Sequence, residues 1–265
     1  MLRLPGLLTI SAFFLPVLTA ASLAQSEPGT PGSGIGVTST TPSLAQIGAA
    51  ILGRTAAQSI TLTGEVVHNS SSASGSTEQV TDPISLTINS DGTTEVQISG
   101  SSGNMTENFA AAGVTGQCTS SMDTNTPAIA AANCWSAASW VLPTLHLANS
   151  TAAARISASL AATTKAGNPT LQLQMQIPLT GHSSSIGKYI TTVSSRTIYL
   201  DPATFLPLSM TYSEHPGAKT YISIPVEILY SNYTAVDGVT VPFSVIKKVN
   251  GHAELNITIS QASIR

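Results

Sequence analysis

Ser231 to Ile259, SNYTAVDGVTVPFSVIKKVNGHAELNITI, is the stretch that decides how this chain folds. Apolar residues recur at Val239, Val241, Phe243 and Val245, and again at Leu255, Ile257 and Ile259. Every second position is the period of a strand that buries one face. Between and before these runs stand Asn250-Gly251 and Asp237-Gly238, dipeptides that readily take the positive φ angles of a two-residue hairpin turn. The same period extends upstream through Ile222, Ile224, Val226, Ile228 and Tyr230, and Asp201-Pro202-Ala203-Thr204 reads as a type I turn. Thr197 to Ile264 is therefore an antiparallel meander, and the rest of the chain has to complete or cover its sheet.

Composition bounds what that sheet can serve. The chain has 265 residues, 42% of them hydrophobic, enough for a real core. Only 9% are charged, against about a quarter in an ordinary soluble domain, so Ser, Thr, Asn and Gln must do most of the solvating. A net charge of −3 without a basic cluster argues against nucleic acid and against electrostatic docking on anionic lipid. At the N-terminus, Arg3, the apolar run Leu7 to Leu18 and Ser22-Leu23-Ala24 read as a secretory signal over 1–24, cleaved near Ala24. The run is shorter than the roughly 20 residues of a spanning helix and no second one follows, so the mature chain is expected in the periplasm or secreted, without a membrane span. In an oxidising compartment Cys118 and Cys134 are expected to form a disulfide, closing a short loop worth about 3 kcal/mol. No further soft ligand stands near them for a metal, and no cofactor is implied.

Residues 25–41, rich in Gly, Pro, Ser and Thr, read as a flexible linker, and 42–265 as a single domain. Ser43 is an N-cap for a helix whose apolar face is Leu44, Ile47, Ile51 and Leu52, with Gly53 as its stop. A strand from Ile60 to Val66 runs into the low-complexity Asn69 to Ser76. A hairpin follows, with Ile84, Leu86 and Ile88 turning at Ser90-Asp91-Gly92 into Val96 and Ile98. The stretch near 100–134 shows no regular pattern and reads as a disulfide-bounded insertion. Trp135 to Ala148 is an apolar helical segment that Pro143 must kink or restart. Strands resume at Ile156, Ala158 and Leu160, then at Leu171, Leu173, Met175 and Ile177 against Gln172, Gln174 and Gln176. Gly181 to Gly187 reads as a loop and Tyr189 to Thr192 as a strand, while Leu206, Leu208, Met210 and Tyr212 share one strand face. The expected total is about ten strands and two helical segments.

Catalytic motifs do not emerge. His68, His146, His182, His215 and His252 are scattered singly, with surface or turn roles favoured and a hydrogen-bonded core role for His146. There is no Gly-x-Ser-x-Gly elbow and no phosphate-binding glycine loop, and Asp201 and Asp237 sit in turns. The chain reads as non-enzymatic.

The helix at Ser43, the strand from Ile60, the hairpin at Asp91-Gly92 and the closing run together resemble the outer-membrane lipoprotein carrier (LolA/LolB-like) superfamily. The likeness is carried by Tyr230, Tyr233, Val236, Asp237, Gly238, Val239, Val241, Pro242 and Phe243, and by YLDPATFLPLSM, Tyr199 to Met210. It implies a mainly β, α+β fold: an incompletely closed antiparallel half-barrel whose concave face is covered by helices around a cavity for acyl chains. The family also uses an arginine to latch the covering helices; Arg54 and Arg155 are stand-ins by rough position, but neither lies in a matching motif, so the role is not carried over to either. Packing logic places Trp140, Leu142 and Leu145 of the apolar segment against Leu171, Leu173 and Met175 of the sheet, as the seat of a hydrophobic ligand, lipid or acyl chain. The alternative is that this face is simply core, filled by Leu173, Met175, Met210 and Phe243, in a domain that binds a protein partner of the cell envelope.

Overall fold

In the computed structural model the compact unit is Thr41–Arg265. The described residues are 41–265 without 54–55, 72–76, 92, 101–102, 110–117, 121–139, 149–155, 178–183 and 216–220, so the signal 1–24 and nearly all of the linker 25–41 lie outside them. Twelve strands form one sheet: β1 Ser59–Ser71, β2 Thr77–Asn89, β3 Thr94–Gly100, β4 Gly103–Phe109, β5 Cys118–Ser120, β6 Ser157–Lys165, β7 Asn168–Gln176, β8 Arg196–Leu200, β9 Pro207–Glu214, β10 Ile224–Val236, β11 Val239–Val249 and β12 His252–Ile264. Their order is β5-β4-β3-β2-β1-β12-β11-β10-β9-β8-β7-β6, and each neighbouring pair is antiparallel. Every hairpin pairs with the next, and the first and last strands, β1 and β12, form the seam that joins the two halves.

The turns form for the reason their sequences suggest. Asp237-Gly238 and Asn250-Gly251 take φ of +49°, +84°, +51° and +80°, the doubly left-handed pair that matches the twist of a two-residue hairpin. Asp201 Oδ1 accepts from the backbone of Ala203 and Thr204 and from the Thr204 hydroxyl, and these bonds hold its carboxyl below the ordinary range. At the seam the pairing moves from Thr63–Gln261 to Gly64–Ile259, leaving Ser260 as a bulge whose hydroxyl donates to the Thr63 carbonyl. A Cβ on Gly64 would strike the Thr258 carbonyl, so this bulge needs glycine. The extra residue also lets Ile257 and Ile259 face inward before it, and Ala262 and Ile264 after it.

The sheet is strongly curved. Glu107 of β4 and Lys247 of β11 feel each other's charge, although four strands separate theirs and a flat sheet would hold them about 24 Å apart. Both residues lie in inward rows, level with Val96 and with Leu255, so the buried face is the concave one. Edges β5 and β6 remain unjoined, which makes an open half-barrel. They are also consecutive in sequence, so the chain must return from one edge to the other, and on this path lies Trp140–Ala148.

Three helices complete the described structure: α1 Leu44–Leu52, a 3-10 helix Leu145–Ala148, and α2 Ser184–Ser194. α1 follows its sequence signals. Ser43 and Gln46 form a reciprocal capping box, and Gly53 ends the helix at φ +58°. Other expectations are corrected. The count is twelve strands, not about ten, because β4 and β5 lie in the segment read as patternless: β4, GNMTENF, is too polar to alternate visibly. Tyr189 to Thr192 is helix, not strand. Its β-branched residues argued for a strand, but Gly187, Ile190, Val193 and Ser194 are buried at helical spacing, and packing overrides propensity. The apolar segment is not one long helix. Its described part is a bend at Trp140–Leu142, a turn at Pro143-Thr144 and the 3-10 helix, as expected of a proline that denies the helix a backbone donor. Leu208 is 39% exposed, set apart from buried Met210 and Tyr212 by a register shift between β8 and β9. Cys134 lies outside the described residues, and with it the expected disulfide.

Candidate functional site

Two short segments cover the concave face. α1 turns Ile47 and Ile51 inward with no exposure, and its Gly48 meets the second segment so closely that a Cβ there would lie on the backbone nitrogen of Ala148. At its C-terminal end, a Cβ on Gly53 would strike the carbonyl of Gly238 in the β10–β11 turn. Glycine at these two places lets backbone approach backbone, so the helix is clamped between the 3-10 segment and a hairpin tip. The second segment buries Trp140, Val141, Leu142, Leu145 and Leu147, and is folded on itself by bonds from Leu145 N to Leu142 O and from Leu147 N to Thr144 O.

Beneath lie the inward rows of the sheet. Leu173 and Met175 of β7 are buried and Leu171 is half-buried; they pair with Ile198, Arg196 and Leu200 of β8, which pair in turn with β9. Trp140, Leu142, Leu145, Leu173 and Met175 belong to one continuous buried cluster, with Leu171 packed on its margin. Each of the five is at most 2% exposed. At these residues the face is covered, and a ligand reaching them would have to displace side chains. Phe243 is also only partly buried.

Specific polar contacts tie the cover to the sheet. The Tyr230 hydroxyl of β10 donates to the Trp140 carbonyl at 2.5 Å. Burial, then the neighbouring Tyr233, hold the Tyr230 pKa well above its ordinary value, so this donor keeps its proton. Arg196 of β8, 2% exposed, donates from Nη2 to His146 Nε2 at 2.9 Å. Burial, and next the Arg196 charge, hold His146 well below its ordinary pKa, so the ring is neutral and its Nε2 can accept. Burial lowers Arg196 to about 9. His146 is thus the hydrogen-bonded core histidine expected of it. Arg196 was not singled out, although its parity with Ile198 and Leu200 marks it as inward. Arg54 and Arg155 lie outside the described residues.

Three polar atoms in the cover have no protein partner although buried: Trp140 Nε1, Thr144 Oγ1 and His146 Nδ1. Each such atom costs about 1–3 kcal/mol. This was invisible in sequence, because satisfaction depends on what is packed alongside.

One other histidine corrects the expectation of a surface or turn role. His68 is 6% exposed, at the inward end of β1, and its Nε2 lies 2.9 Å from Asp82 Oδ2 of β2. A Cβ on Gly100 would strike that carboxylate, so the pair is walled in by β3. His215, just after β9, is also buried. On the opposite side of the sheet, Lys165 bonds Ser209 and Glu227 and lies over the Tyr199 ring. A cleft of about 510 Å³ near the start of β8 is lined by polar groups including Thr192, Thr197, Thr211 and Glu227 together with Tyr212, Pro225 and Val226. Among the described residues no helix is long and apolar enough to cross a membrane, and no group of three His, Cys, Asp or Glu could hold a metal ion.

No protein-family model matches the sequence, and neither does any curated protein. Among solved structures the chain is similar in fold to a domain from Vibrio parahaemolyticus named for outer-membrane lipoprotein sorting, at 10% identity and TM-score 0.49, over 83% of this chain and 92% of that one. It is also similar to a LolA superfamily protein from Nitrosomonas europaea, at 10% identity and TM-score 0.47, over 85% and 94%. A third is a DUF1329 family protein from Desulfovibrio piger, at 11% identity and TM-score 0.41, over 83% and 91%. At this identity the likeness concerns the course of the chain, and any functional reading has to rest on the geometry above.

Proposed function

We propose that the protein is an exported, non-enzymatic binding module, a periplasmic carrier or sensor that takes a lipid, a lipoprotein acyl chain or another apolar ligand onto its concave face. The observation that carries this reading is the character of the cover. It is a thin layer of two short segments, and it closes an apolar face while leaving Trp140 Nε1, Thr144 Oγ1 and His146 Nδ1 buried and unpartnered. Three such atoms make the closed arrangement costly by several kcal/mol, at about 1–3 each. Opening returns those atoms to water and exposes the apolar rows beneath. A hydrocarbon chain that replaced the cover's own side chains would offset that exposure. The exported location rests on residues 1–24, and the reading calls for no cofactor or metal.

A second reading has its own support. Trp140, Leu142 and Leu173 have no exposed surface, as in a finished core, and the domain would then serve as a protein-interaction module of the envelope. Native mass spectrometry with organic extraction of protein purified from its own envelope separates the two, with fluorescence titration of the tryptophans by a fatty acid beside it. The carrier releases a co-purified lipid and its fluorescence responds; no lipid and no response leave the interaction module.

A further inference from the structure

We infer that His146 is a proton sensor built into the cover: its ring fits the closed seat only while neutral, so acidification releases Trp140–Ala148 from the concave face. The opening follows from the ring's surroundings, and its use in loading an apolar ligand rests on the binding function proposed above.

His146 is 5% exposed, and its Nε2 accepts a hydrogen bond from Arg196 Nη2 at 2.9 Å. An accepting Nε2 places the single proton of the neutral ring on Nδ1, which is buried and has no protein partner. A second proton would have to go onto Nε2, where it would face the N–H of a guanidinium. The bond would be lost, and two positive charges would stand side by side away from water.

The neighbouring elements do not offset this. Trp140–Ala148 and α1 contain no Asp, Glu, Lys or Arg, and β7, whose Met175 pairs with Arg196, has no ionisable residue. On β9 Tyr212 stands opposite Arg196 and donates its hydroxyl to Glu214, while on β10 Tyr230 and Tyr233 donate to the carbonyls of Trp140 and Pro207. Burial holds all three phenols above their ordinary pKa, so they stay neutral. Lys247 of β11 faces Glu214 and Glu254. Among the described residues the one charge that His146 feels is that of Arg196, which at a pKa of about 9 stays cationic at neutral pH and below.

Once the segment leaves the sheet, the ring meets water and returns to its ordinary pKa of about 6.5. The open state then binds a proton that the closed state refuses. The closed cover therefore keeps its full stability above that value and loses it progressively as pH falls below. Of the two polar ties from cover to sheet, the Tyr230 bond to Trp140 survives acid and the Arg196 bond to His146 does not.

Hydrogen exchange of the purified protein at about pH 7.5 and about pH 5.5, expressed as protection factors, reads the opening. The opening constant of Leu145–Ala148 should rise about tenfold, the ratio set by one group that titrates near 6.5 in the open state alone. Protection in β1 and β12 should not move. His146→Gln keeps a neutral acceptor for Arg196 and should be equally protected at both pH values; His146→Leu supplies a second neutral side chain should glutamine not be accommodated. The neutral dye Nile red should bind the native protein about tenfold more tightly at the lower pH, and either variant equally at both. Equal protection at both pH values in the native protein overturns the sensor, as does a pH dependence that persists in both variants or a loss of protection that spreads evenly to β1 and β12. Exchange that follows His146, with no dye binding at either pH, leaves the sensor standing and overturns the carrier. Dye binding that ignores pH while exchange follows it overturns the loading role.

Discussion

Replacing His146 by Leu should loosen the cover without unfolding the sheet. The substitution removes the Nε2 that accepts from Arg196, a bond to a buried charged donor worth about 1.5–3 kcal/mol. It also removes the unpartnered Nδ1, which returns about 1 kcal/mol. The net loss is about 0.5–2 kcal/mol, or about 1–8 °C in Tm for a unit of this size. Arg196→Met alone takes away the donor and leaves Nε2 buried without it. The double variant removes both members of the pair, so the cycle isolates the interaction between them from whatever else each side chain touches. The cycle should therefore give a coupling of about 1–3 kcal/mol by denaturant unfolding. Because His146 belongs to the cover, hydrogen exchange in Leu44–Leu52 and Leu145–Ala148 should rise about 2- to 30-fold in His146→Leu while β1 and β12 are unmoved. Binding of an apolar dye should tighten as the open state becomes more populated. Coupling below about 0.5 kcal/mol, or exchange that rises uniformly over the sheet, would refute the view of the cover as a separately held element.

Gly48→Ala should cost about 1–3 kcal/mol despite a helix-propensity gain near 1, because its Cβ would lie on the Ala148 backbone; a stability gain in thermal unfolding would show the two segments to be less tightly apposed. Glu107→Gln should stabilise the protein at neutral pH. Its folded pKa is raised, so the stability it contributes is full below the ordinary carboxylate pKa and is lost as pH rises through the folded value; the variant should lack that decline between acid and neutral pH in denaturant titrations. Native exported protein should show no reactive thiol at Cys118 or Cys134, and two labelled cysteines would remove the expected bond. A chain starting at Pro42 should fold as the whole does, since residues 25–41 have too little to bury to offset the entropy of ordering them; loss of the cooperative transition would contradict this.

Local chemistry made much of this fold legible. The α1 capping box, the Asp237-Gly238 and Asn250-Gly251 hairpins, the Asp201 turn and the inward rows of β7, β10, β11 and β12 all depend on residues within a few positions of one another, so their pattern survives in the sequence. Where local signals were weak or conflicting, the reading failed: β4 is too polar to alternate, and the β-branched run in α2 is overruled by packing of Ile190 and Val193. Distance along the chain hid the rest. Arg196 meets His146 across 50 residues, Tyr230 meets the Trp140 carbonyl across 90, and Glu107 approaches Lys247 only because the sheet curls through four intervening strands. Period two announces that a residue faces inward but not what stands opposite. Partners on the concave face are set by curvature and by the return path from β5 to β6, and both are properties of the assembled sheet.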